Sequence, residues 1–79
     1  MMSHEMILQR VIALFSAMVE DTKITADSEI MEDLEISSMD VLFLITNLEE
    51  EFHVKVPEQE IRRMFTVGDV AKVIEELLA

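Results

Sequence analysis

Apolar residues recur along this chain at spacings of three and four, in segments long enough for helices and separated by short polar stretches. Ile7, Val11, Leu14, Phe15 and Met18 share one side of a first helix predicted from near Ser3 to about Val19. A second begins at Ser37, where a hydroxyl can cap backbone N–H groups and Asp40 follows three residues later. Val41, Ile45, Leu48 and Phe52 mark its buried face, with Leu42 and Leu44 flanking it. Pro57 precedes a short third helix, roughly 58–64. Thr66 and Asp69 repeat the capping pattern and open a fourth, whose Val67, Val70, Val73, Ile74, Leu77 and Leu78 face inward.

Between the first two helices lies a connection of about 17 residues, long for so small a domain. Asp21, Thr22, Thr25, Asp27 and Ser28 compete there for backbone hydrogen bonds, while Ile24, Ile30, Met31 and Leu34 can pack the loop against the helices. A short helical turn is expected around 29–34. The pattern predicts an all-α four-helix bundle of three longer helices and one short one, with this long loop, forming one domain over residues 1–79.

Composition narrows the function. A chain of 79 residues buries only roughly 60 to 65 per cent of its unfolded surface, too little for a deep self-contained active site. There is no Cys, so no disulfide framework or protein thiol, and any sulfur chemistry must be imported. The first apolar segment is interrupted by His4, Glu5, Gln9 and Arg10, so no signal segment or membrane span is expected, and the reading is a cytoplasmic monomer. A net charge of −11 disfavours nucleic acid or an anionic membrane as partner. Its placement says more: Asp27, Glu29, Glu32, Asp33, Glu35, Asp40, Glu49, Glu50 and Glu51 fall between Ile24 and Val54 without one Lys or Arg. That clustering points to a docking face for partners with basic patches.

Most site chemistries fail on the residues. The twelve positions from Asp21 to Glu32 have the length of a calcium loop, but Lys23 and Ala26 stand where an oxygen ligand and a Gly are needed. His4 and His53 lack zinc spacing and stand in no recognisable nucleophile context. What remains is Ser38, where the acidic loop becomes a helix. It either extends the cap begun by Ser37 or bears a function, and composition alone leaves both open.

The segment Glu32-Asp33-Leu34-Glu35-Ile36-Ser37-Ser38-Met39-Asp40, then Leu48-Glu49-Glu50-Glu51-Phe52, Val56-Pro57 and Thr66-Val67-Gly68-Asp69-Val70, resembles the acyl carrier protein family over nearly the whole chain. The most specific parts are Glu-Asp-Leu four residues before a helix-opening Ser and Leu-Glu-Glu-Glu-Phe ten residues after it. The resemblance implies a non-enzymatic carrier on which a transferase moves 4'-phosphopantetheine from coenzyme A to Ser38. The arm's thiol would carry acyl groups as thioesters in fatty acid, polyketide or related biosynthesis. Independently, a phosphodiester on Ser38 would lie at a helix N-terminus, where unpaired N–H groups favour an anion.

Three residues depart from the family pattern: Ser37 replaces a frequent Asp, Met39 a frequent Leu, and Glu35 a common Gly. If position 35 needs a positive φ, a non-Gly residue there costs roughly 1 kcal/mol. Met39 and Phe43 fall one turn apart opposite Ile45 and Phe52, which predicts an exposed apolar pair beside the acids. Glu35, Met39, Asp40, Phe43, Glu49 and Glu50 are the candidate contacts for the transferase and acyl-processing enzymes. A carrier of aminoacyl or other non-fatty cargo, and an unmodified acidic adaptor, are the alternative readings.

Overall fold

The computed structural model describes residues 2–19 and 23–79. Asp21 and Thr22, and with them the start of the calcium-loop candidate, lie outside the described residues. Four helices follow in order: α1 (His4–Met18), α2 (Ser38–Phe52), α3 (Glu58–Ile61) and α4 (Val67–Leu78). The all-α expectation holds. Among the described residues no strand forms, and a single isolated bridge joins Glu29 to Thr66.

Each longer helix opens on a side chain that removes the cost of an unpaired first-turn N–H. Ser3 accepts from the Met6 N–H, Ser37 from Asp40 and Thr66 from Asp69. In α4 the box is complete, because the Asp69 carboxylate also accepts from the Thr66 N–H at 3.0 Å. The third helix is shorter than its pattern predicts. After Ile61 the chain changes to tighter bonds, Arg63 N–H to Glu60 O and Met64 N–H to Ile61 O, and the Phe65 N–H is also taken by Asp69. That last bond bends the chain into α4, so α3 cannot continue.

The core joins α1, α2, α4 and the long loop, with Ile7, Val11, Phe15, Leu48, Val70 and Ile74 at its centre. Helix α1 packs on both α4 and α2. A hydrogen bond between His4 Nδ1 and Glu75 and an ion pair between Arg10 and Glu51 fasten its outside, both exposed and worth little energetically. Leu42, expected to flank the inward stripe of Val41, Leu44, Ile45, Leu48 and Phe52, stands roughly 100° round the helix from its centre and is 66% exposed. Two sequence expectations for the core need correction. Met31 also faces solvent, since the turn sends Ile30 and Leu34 inward instead. Leu78, the last residue of α4, is 39% exposed, because it borders an open concavity that it shares with Met2 and Ile7 instead of closing it.

The long loop is ordered by backbone bonds rather than by a helix of its own. Ile30 N–H donates to Phe65 O, Val67 N–H to Ser28 O and Gly68 N–H to Ala26 O. The expected turn is present at 29–34: Asp33 and Leu34 both donate to Glu29 O, and the Asp33 carboxylate accepts from the Glu29 N–H. It is a hydrogen-bonded turn, not a helix. The loop thus reaches α2 along a fixed path, with Leu34 and Ile36 buried on either side of Glu35.

Candidate functional site

Ser38 is the first residue of α2, and it is exposed. The neighbouring hydroxyl, that of Ser37, is the N-cap and accepts from Asp40 N–H at 3.2 Å. The two serines are therefore distinguished by geometry: one hydroxyl holds the helix end, and the other has no hydrogen-bond partner among the described residues. The N–H groups of Ser38 and Met39 precede the first intrahelical donor, Val41, and have no partner among the described hydrogen bonds. A negatively charged group on the Ser38 oxygen would meet these donors and the positive end of the helix dipole.

The approach to this point depends on Glu35, which takes φ 53, in the left-handed region. A Cβ is disfavoured there by roughly 1 kcal/mol. The Gly that the resemblance would place here could take this angle without that cost. His53 is the other such residue, at φ 55, where it ends α2 as a left-handed C-cap.

Two concave surfaces flank the start of α2. One, of about 430 Å³, includes Ser38 itself and is walled mainly by apolar side chains of the loop, α2 and α3, with Glu58 and Arg62 as its charged members. The other, of about 650 Å³, lies between the end of α1 and α2, where Glu35, Asp40 and Phe43 border it.

The candidate contact residues divide by environment. Met39 is 77% exposed and Phe43 69%, which matches the expectation of an outward apolar pair. Glu35, Asp40 and Glu50 are exposed, and Met39, Phe43, Thr46 and Glu50 follow one another at helical spacing on the outer face of α2. Glu49 differs. It is half-buried, and its Oε2 accepts the Val56 N–H at 2.8 Å, so it also holds the segment that leads into α3. Two features of this surface were not singled out from the sequence, exposed Leu42 and the place of Arg62 on the groove that Ser38 also lines. The helical phase of α2 puts Leu42 on the flank of the buried stripe; for Arg62 there was no signal, because its place depends on how α3 packs.

A small acidic bundle with an exposed serine at the mouth of its second helix is the architecture of a carrier, which presents a group to enzymes rather than enclosing one. Comparison with known proteins agrees. Residues 8–75 match the family model described as phosphopantetheine attachment site. The chain is 38% identical to the acyl carrier protein of Helicobacter pylori strain J99 over 58 residues, covering 73% of this chain and 74% of that one. With the acyl carrier protein of strain 26695 the identity is 40% over the same shares. In three dimensions it is similar to the acyl carrier protein of Enterococcus faecalis, with TM-score 0.78 and 27% identity, covering 96% of this chain and 99% of that one.

The chain belongs to the acyl carrier protein family. It is a carrier and not an enzyme, and the family's prosthetic group is a covalently attached 4'-phosphopantetheine. At the start of α2 the structure shows an exposed Ser38 hydroxyl, N–H groups of Ser38 and Met39 without a partner among the described residues, and a largely apolar groove beside them.

Proposed function

We propose that Ser38 bears the 4'-phosphopantetheine arm and that the protein carries acyl intermediates as thioesters in fatty acid, polyketide or related acyl biosynthesis in the cytoplasm. The observation that carries this reading is the contrast between the two serines: the Ser37 oxygen caps α2, while the Ser38 oxygen stands exposed at its first residue. A transferase can reach the second without unwinding the helix. In the transfer the Ser38 oxygen bonds the pantetheine-side phosphorus of coenzyme A as that phosphorus's bond to the bridging diphosphate oxygen breaks. The bridging oxygen and its electron pair leave with the 3',5'-bisphosphorylated adenosine, and the hydroxyl proton passes to the transferase or to water.

When bound, the arm supplies a flexible tether ending in a thiol, which a chain without Cys does not have. The chain's own contribution is electrostatic and steric. Glu35, Asp40 and Glu50 draw basic partner surfaces to the start and outer face of α2 through exposed charge, which raises encounter rates more than it adds affinity. Met39 and Phe43 supply the apolar centre of that contact, and Glu49 can offer its second carboxylate oxygen while the first holds Val56. Brief visits to many enzymes are what a shuttle needs.

Incubation with coenzyme A and a phosphopantetheinyl transferase tests the reading by intact mass. A gain of one phosphopantetheinyl group supports the carrier. No gain with several transferases contradicts it and leaves an unmodified acidic adaptor. Loading assays with acyl and aminoacyl donors then decide between fatty and non-fatty cargo.

A further inference from the structure

Resting on Ser38 as the attachment point, we propose that Arg62 holds the phosphate of the arm and turns its first segment toward α3. The argument starts from the sides available to a phosphodiester on that hydroxyl. On the α1 side of α2, the concave surface is bordered by the carboxylates of Glu35 and Asp40, which repel it. On the α3 side, Ser38 and Arg62 border the same groove.

The arginine is also available. Arg10 pairs with Glu51 and Arg63 with Glu60 and Glu76, whereas among the described residues Arg62 has no carboxylate within ion-pair distance. In a chain of net charge −11, a guanidinium without a carboxylate partner beside an apolar groove is suited to receive an anion, and its planar donors match phosphate oxygens. One phosphate oxygen can then face the N–H groups of Ser38 and Met39 while the other faces Arg62. Glu58, one turn before Arg62 on the same groove wall, is the competing charge and sets how strongly the arginine is held.

Amide NMR spectra of the apo and modified protein test this, after intact mass has established modification. Failure to gain mass would count against Ser38 itself; the steps that follow concern Arg62 alone. In the wild type, modification is expected to shift residues 58–64 as well as 37–40. Arg62→Gln loses the shifts at 58–64 and keeps those at 37–40. Arg62→Lys, which retains the charge, restores them, and Glu58→Gln enlarges them. Modified wild type with shifts confined to 37–40, or an Arg62→Gln protein with the full set at 58–64, would overturn the proposal.

Discussion

The backbone N–H of Gly68 donates to the carbonyl oxygen of Ala26 at 2.8 Å, which fastens the second residue of α4 to the long loop. This is one of three backbone bonds that dock the loop on the start of α4 and so fix the chain's approach to Ser38. The contact favours glycine: a Cβ at position 68 would stand 3.0 Å from Ala26 O and 3.3 Å from Ala26 Cβ, so the loop would have to shift by a few tenths of an ångström.

Gly68→Ala is therefore expected to destabilise the protein. Ala favours a helix by up to about 1 kcal/mol, but the atom it meets is a backbone oxygen fixed by its own bond, and such overpacking costs about 1–3 kcal/mol. A net loss of about 1 kcal/mol should be read in urea denaturation. An unchanged or raised midpoint would show that the loop yields freely.

Glu35 should respond in the opposite direction. Its left-handed backbone lets Leu34 and Ile36 both turn into the core, at a cost a glycine would not incur. Glu35→Gly is expected to stabilise by about 0.5–1 kcal/mol, the gain reduced by the greater freedom of the unfolded glycine. A loss of stability would mean that the Glu35 side chain makes contacts that outweigh its strain.

For Phe43, folding and docking separate. Because it is exposed, Phe43→Ala should change stability by no more than about 0.5 kcal/mol and weaken binding to a partner enzyme by about 1–2 kcal/mol. Leu44→Ala, one residue on and buried, should cost about 2–5 kcal/mol of stability. Calorimetric unfolding together with partner titration checks both. Loss of stability with unchanged binding for Phe43→Ala would refute its docking role.

The bond between Arg63 and Glu76 gives a pH dependence of known sign. The guanidinium's hydrogen bonds hold the Glu76 carboxyl below its ordinary value. A depressed folded pKa contributes stability that is complete above the unfolded value and is lost as pH falls through the folded one. The melting-temperature difference between wild type and Glu76→Gln should thus be largest near neutral pH and close in acid. A gap that widens in acid would contradict the assignment.

How much of this was legible before the fold was known follows from the range of each interaction. Caps at Ser3, Ser37 and Thr66 are local, so the starts of α1, α2 and α4 could be read directly. The phase of α2 gave Phe43 and Met39 correctly. The same phase puts Leu42 on the flank of the buried stripe, and how far a flanking side chain is covered depends on α3, which the pattern does not give. The end of α3 was not legible: it depends on Asp69 accepting from Phe65, a bond between α4 and the residues before it. Nor could the sequence show that Glu49 bonds Val56, or that the loop docks on α4 through backbone atoms, since backbone bonds leave little trace in side-chain pattern. The candidate site was legible through the family resemblance; the residues alone left Ser38 no better than a second capping serine.

Which serine takes the arm is decided by the masses of Ser37→Ala and Ser38→Ala after treatment with coenzyme A and a phosphopantetheinyl transferase. Ser37→Ala should gain one phosphopantetheinyl group, with a helix weakened by about 1 kcal/mol through loss of its cap, and Ser38→Ala should gain nothing. A full gain of mass on Ser38→Ala would contradict the account at its centre.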